Sequence, residues 1–253
     1  TVLFTSRKHH TRQHTDCCII APGNSKIWLH GLVNNAGILA GQHWPPSSIF
    51  LQRQDLQEVL DVNLLGTADM MTAFLPLLIK AKGRVVNMSS AVARSGSMGF
   101  NVAYTISKSG IQCLSDDARV SLRQFGVKVC IIEPGGHATN MHNPYAISER
   151  LLRGFQRIPE NMCHLLVTES EYKERLKKAF FNQNPIVNRD ISPVIDAYTH
   201  ALFSVHPKKR YSVGMDARLL FIPLSYAPSW LNDLFGAYVI ARQTAKPWKS
   251  TKA

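Results

Sequence analysis

Ser90–Lys108 reads SAVARSGSMGFNVAYTISK, and its pair Tyr104 and Lys108 decides how the rest of the chain is read. If a helix begins near Tyr104, a spacing of four sets the phenol and the ammonium on one face, one turn apart. A free tyrosine titrates near pH 10 and moves protons poorly at neutral pH. An ammonium about 4 Å away favours phenolate by about 4 kcal/mol at an effective dielectric near 20. The positive end of the helix pushes the same way. The pair is therefore expected to bring the phenol to about pH 7, where general acid–base catalysis works best.

Tyr-x-x-x-Lys is common enough by chance to decide nothing alone, so the flanks carry the reading. Gly83-Arg84-Val85-Val86-Asn87-Met88-Ser89-Ser90 reads as a buried strand ending in two hydroxyls. The helix with Tyr104 continues through Leu114, Ala118, Val120 and Leu122 to Gly126, a natural C-terminal stop. Val127-Lys128-Val129-Cys130-Ile131-Ile132 reads as the next strand, closed by Glu133-Pro134-Gly135-Gly136. Strand, hydroxyl, Tyr helix, strand and Pro-Gly turn in that order resemble the core of the short-chain dehydrogenase/reductase family.

Upstream, His30-Gly31-Leu32-Val33-Asn34-Asn35-Ala36-Gly37 runs a short apolar strand into Asn-Asn-Ala-Gly. That stretch matches the motif at the end of the family's fourth strand. Small residues there let a backbone approach a ligand, and asparagine side chains can tie strand ends together. From Asp55 to Ile79 the apolar spacing is helical, with Pro76 placed to kink the end. Asn63 is polar on the mostly apolar face of that helix. Downstream, Asp190-Ile191-Ser192-Pro193-Val194, Tyr211-x-x-Gly214-x-Asp216-Ala217 and Phe221-Ile222-Pro223-Leu224-Ser225 resemble the retinol and hydroxysteroid dehydrogenase branch. The resemblance covers Gly31 to about Phe235.

The resemblance implies an α/β fold: a Rossmann-like, doubly wound parallel sheet. In it Tyr104 is the general acid/base, and Lys108 tunes the phenol while binding the nicotinamide ribose. Ser90 hydrogen-bonds the substrate oxygen and Asn63 supports a proton relay. Asn35, Ala36, Gly37, Lys108, Pro134, Gly135 and Thr139 line the cofactor, NAD or NADP with NAD favoured. It also implies an apolar alcohol or ketone substrate, a retinoid or a steroid, and a place at the endoplasmic reticulum membrane. A homodimer is the assembly it allows.

Three departures stand out. The family's Thr-Gly-x-x-x-Gly-x-Gly turn is absent, since Gly23 is the sole glycine before Gly31. The chain, which opens on Thr1, is therefore expected to be N-terminally truncated, without roughly the first βαβ half. The loop from Ser90 to Tyr104 is about one or two residues longer than the branch uses. His137, after the Pro-Gly turn, stands where the branch has an apolar residue, and is expected to face solvent.

The 253 residues suit one domain, taken as 29–253, with 1–28 an irregular extension. In that extension His9, His10, His14, Cys17 and Cys18 match no closed zinc spacing, so no metal is assigned. The segment from His137 to Asn188 is polar, with helical patches at Ile147–Phe155 and Glu169–Phe181, and suits a substrate lid. Five cysteines without paired spacing argue against a disulfide framework. The net charge of +12 is scattered rather than striped with aromatics, which excludes nucleic acid and leaves an anionic membrane surface as the better partner. No continuous run of 18 apolar residues is present. A second reading, favoured by the missing turn, is a catalytically inactive dehydrogenase fragment that binds a partner or a membrane.

Overall fold

Six strands form one sheet in the computed structural model, in the order β2-β1-β3-β4-β5-β6. The structure describes residues 2–6, 16–19, 28–39, 51–96, 101–139 and 188–244, with scattered positions between 145 and 174. The strands are β1 (Val2–Ser6), β2 (Asp16–Ile19), β3 (Gly31–Asn34), β4 (Arg84–Met88), β5 (Lys128–Pro134) and β6 (Arg210–Val213). All neighbours pair in parallel except β2, which lies antiparallel on β1.

Strands β3 to β5 are buried almost end to end, as expected when helices cover both faces of a parallel sheet. Alternate residues serve opposite faces. Leu32, Val85 and Val129 pack with Met71, Leu78 and Ala118, from α2 (Gly66–Ala81) and α4 (Val102–Ser121). Val33, Val86, Cys130 and Ile132 pack with Ala197, Ala201 and Leu202 of α5 (Ser192–Phe203). Each such aliphatic side chain contributes about 1.5–3 kcal/mol on burial, so these two layers hold the three-layer fold together. Between β4 and α4 lies the single turn α3 (Val92–Ser95).

The helical run after β3 is α1 (Arg53–Leu60), a wider π-type turn at Asp61–Leu65, and α2, with Pro76 carried inside it. By length and composition alone, Arg53–Ala81 could cross a membrane. No 18-residue run is wholly apolar, yet the helix is apolar overall because Met71 and Leu78 pack on β3 and β4. α4 gives way to a tight turn at Arg123–Phe125, and the stop falls at Gly126, whose φ of 75° suits glycine. The chain ends with β6, a second π-type turn (Ala217–Phe221), α6 (Ile222–Ser225) and α7 (Ser229–Thr244).

One expectation is overturned here. Residues 1–28 are not wholly irregular, since β1 and β2 lie among them and β1 pairs with β3 from Val2↔Gly31 to Thr5↔Asn34. Strands of five and four residues have too little alternation to read alone, and their pairing defines them. His9, His10 and His14 lie outside the described residues, as do most of Ile147–Phe155 and Glu169–Phe181.

Candidate active site

Three loops and one helix start meet at the C-terminal edge of the sheet. Asn101 caps α4, its side-chain oxygen accepting a hydrogen bond from the Tyr104 N–H at 3.0 Å. One turn on, Lys108 is almost fully buried, and its Nζ donates to the Met88 carbonyl at the end of β4, 2.8 Å away. The same nitrogen lies 5.5 Å from the centroid of the Tyr104 ring.

This placement corrects the expected phenol near pH 7. Tyr104 is half-buried as a residue, and burial of its phenol pushes it up to about 12, opposed by a hydrogen bond from Ser90 that lowers it. Burial pulls Lys108 down to about 8. The ammonium stands over the ring and donates a hydrogen bond to the Met88 carbonyl, and desolvation of the phenol wins.

Ser90 follows β4 and is held by its neighbours. Ser89 N–H donates to Ile132 O at 2.8 Å, and Ala91 N–H donates to Pro134 O at 2.9 Å. The Ser89 hydroxyl donates to Lys108 O at 2.9 Å, tying this loop to α4. The Ser90 hydroxyl makes a long contact to Pro134 O at 3.4 Å and also reaches Tyr104.

Asn63 sits in the π-type turn and is fully buried. Its oxygen accepts from Ile38 N–H at 2.8 Å, and its amide nitrogen donates to Ile38 O at 3.1 Å and to Ser107 Oγ at 2.9 Å. Asn63 thus braces the loop after β3 against the residue preceding Lys108. Among the described residues its side chain reaches α4 through Ser107, not through Lys108 itself.

Asn35, Ala36 and Gly37 leave β3 with partly open backbone, and Asn35 accepts a hydrogen bond from the Tyr198 hydroxyl of α5 at 2.9 Å. The strand-tying asparagine is Asn34, which donates to Asn87 on β4 at 2.8 Å, while Asn87 donates on to Ser115 of α4 at 2.8 Å. Across the edge, Pro134 ends β5 and Gly135 follows. A β-carbon at Gly135 would lie 2.0 Å from an oxygen of Asp216, whose other oxygen accepts from Gly136 N–H at 2.6 Å. Any larger residue there would have to displace the carboxylate from Gly136 N–H. Thr139, beyond the turn, is exposed.

His137 is buried instead of facing solvent. Its Nδ1 lies 3.1 Å from Gly135 O and must carry the proton, since a carbonyl only accepts. Asn188 pairs with the backbone on either side, at Gly136 O and Ala138 N–H, and a β-carbon at Gly214 would lie 3.5 Å from the ring.

The edge therefore brings together Ser90, Tyr104 and Lys108, with Asn63 behind Lys108 and two loops, 35–37 and 134–136, on either side. Sequence reasoning gave no part to Asn101, Ser107, Glu133 or a carboxylate at Asp216 holding the turn. The helix-capping type of Asn101 was the readable signal.

Comparison with known proteins adds relatives to this geometry. Residues 26–149 match the model of the short chain dehydrogenase family. Over 214 residues the chain is 39% identical to retinol dehydrogenase 7 of Rattus norvegicus, covering 83% of this chain and 64% of that protein. It is 36% identical to 17-beta-hydroxysteroid dehydrogenase type 6 of Homo sapiens, covering 89% of this chain and 67% of that one. The chain thus spans about two-thirds of the length of these curated relatives. A short chain dehydrogenase of Burkholderia cenocepacia solved in complex with NADP shares the fold at a TM-score of 0.55 and 19% identity, over 87% of this chain and 70% of that one. One from Mycobacterium paratuberculosis, bound to NAD, does so at 0.55 and 20% identity, over 76% and 65%.

Proposed function

The chain belongs to the short-chain dehydrogenase family, in its retinol and hydroxysteroid dehydrogenase branch, and on that footing we propose that it transfers hydride between NAD or NADP and an apolar alcohol or ketone, a retinoid or a hydroxysteroid. The observation that carries the reading is that Ser90 and Lys108 both flank Tyr104, the hydroxyl at its phenol and the ammonium over its ring.

The residues fit the nicotinamide end of such a cofactor. Lys108 is a buried ammonium whose one hydrogen bond among the described residues goes to Met88, which leaves donors for the ribose hydroxyls. Asn35, Ala36, Gly37, Pro134, Gly135 and Thr139 are the proposed contacts around it. The nicotinamide supplies the hydride acceptor or donor. Tyr104 gives the proton to the carbonyl oxygen in reduction, or takes it from the alcohol in oxidation. Ser90 donates to the same oxygen as negative charge develops on it, and Asn63 fixes the helix that presents Lys108.

The sheet edge favours a second reading. β2 returns antiparallel on β1, a pairing that needs no crossover connection, and among the described residues no helix N-terminus follows β1 to hold a pyrophosphate. Under it the chain is an inactive relative that binds a partner or a membrane. One experiment separates the two: titrate the chain with NADH and NADPH by calorimetry, then follow cofactor reduction with retinol and with a hydroxysteroid. Turnover that depends on Tyr104 supports the first reading, with cofactor affinity expected to be weak, roughly millimolar. Absent turnover with either cofactor supports the second.

The membrane reading rests on surface chemistry. Leu219, Tyr226, Trp230 and Leu234 expose 61% to 78% of their surface near the C-terminal end. In sequence, Arg242, Lys246, Lys249 and Lys252 follow. Aromatic and aliphatic side chains beside lysines suit an anionic lipid surface. With liposomes containing phosphatidylserine, the chain should float, and removal of residues 236–253 should cut the floating fraction several-fold. A chain that stays soluble but sediments as a dimer would assign these residues to a homodimer instead.

A further inference from the structure

Glu133 is a buried carboxylate at the edge that the proposed reaction leaves unused. It is fully buried near the end of β5, immediately before Pro134. A carboxylate out of water must be paired and hydrogen-bonded. Arg94 of α3 donates its Nε to one oxygen at 3.2 Å and a terminal nitrogen to the other at 3.5 Å. Gln112 of α4 donates at 3.0 Å, Ser212 of β6 makes a long contact at 3.5 Å, and Arg210 of β6 pairs with the same carboxylate. Arg210 also pairs with Asp116, again on α4.

These partners stand on elements that matter. α4 carries Tyr104 and Lys108, while α3 opens two residues after Ser90. The Ser90 loop itself rests on Pro134, through Ala91 N–H and the Ser90 hydroxyl. One carboxylate therefore joins the element that carries the phenol to the element that follows the hydroxyl. A buried ion pair is weak evidence for stability, because apolar replacements of such pairs often serve as well. Its location is what calls for a role.

We propose that Glu133, acting through Arg94, is the positioning residue that holds the Ser90 hydroxyl against Tyr104. The proposal rests on the dehydrogenase reading for its effect on turnover, but its geometry is testable without turnover. Misplacing a reacting group by about 1 Å costs about a hundredfold in rate.

The test uses the full chain with Arg94→Ala, Arg94→Lys, Ser90→Ala and the double variant Arg94→Ala/Ser90→Ala. Arg94→Ala should lower kcat about a hundredfold with KM nearly unchanged. Arg94→Lys keeps the charge but loses the second nitrogen, and should recover part of the loss. In the Ser90→Ala background, Arg94→Ala should cost little more, because its effect runs through a hydroxyl already gone. Independently of catalysis, Arg94→Ala should speed hydrogen exchange at the Ser89 and Ala91 amides about tenfold or more, while Val33 and Val86 in the central strands stay protected. Losses that multiply in the double variant, or unchanged exchange at Ser89 and Ala91, overturn the proposal. If the wild-type chain has no turnover, the dehydrogenase reading fails and the exchange result alone decides this one.

Discussion

Tyr104→Phe is expected to lower turnover about a thousandfold while leaving nicotinamide binding nearly unchanged. The substitution removes one oxygen and keeps the ring against which the Lys108 ammonium lies. It removes the group to which Ser90 bonds and the proton that must reach or leave the substrate oxygen. The sign of the phenol's displacement adds a direction. With its phenol pushed up to about 12 by burial, Tyr104 is protonated at neutral pH and is set to donate, which suits carbonyl reduction. Oxidation needs the phenolate, so its rate should keep rising with pH well above neutrality. The checks are kcat in both directions against pH, and calorimetric titration of the variant with NADH. A variant that keeps most of its activity would remove Tyr104 from the chemistry and the proposed mechanism with it.

Lys108→Met should abolish ordered ribose binding as well as turnover, and it should also change how stability depends on pH. Burial holds Lys108 at about 8 in the folded chain, against 10.5 for a free side chain. Between those values the unfolded chain binds the extra proton, so stability rises with pH there, by roughly 3 kcal/mol from this residue. Below pH 8 both states are protonated and the full cost of the buried ammonium is present. For Tyr104, raised from 10.0 to about 12, the unfolded phenol ionises first, so stability falls again across that interval. Cys130, raised by burial from 9.0 to about 11, adds a fall that begins near pH 9, so wild-type chain should resist urea best between about pH 9 and pH 10. Lys108→Met should flatten the rise, and Tyr104→Phe should lessen the fall while leaving the part that Cys130 carries. Identical urea midpoints for wild type and Lys108→Met from pH 7 to pH 10 would show that the ammonium is solvated after all.

The sequence carried the parts of this arrangement that depend on local spacing. Tyr104 and Lys108 share a face because any helix puts residues four apart together, and the Gly126 stop follows from backbone sterics. The phenol's environment was not legible, because it depends on where the Lys108 nitrogen points, and a carbonyl twenty residues away, Met88, holds it. Glu133 read as part of a turn because its neighbours are Pro and Gly. Its cationic partners lie 39 and 77 residues away, beyond any local pattern. His137 looked exposed for the same reason, since Asn188 and Gly214 enclose it from distant segments. At the N-terminus, the strand-forming residues of β1 span only Val2–Ser6, and it is the ladder with β3 that makes them a strand of the sheet.

The contact between Gly135 and Asp216 sets a rule for how this chain can drift. The carboxylate occupies the space a β-carbon at 135 would need, and it cannot swing aside without releasing Gly136 N–H. Change at either position therefore presses on the other: alanine at 135 pushes the carboxylate off Gly136 N–H, and a smaller residue at 216 abandons the turn. Two residues 81 positions apart in sequence (216 − 135) are coupled in this way, and a change at one alters which residues the other tolerates.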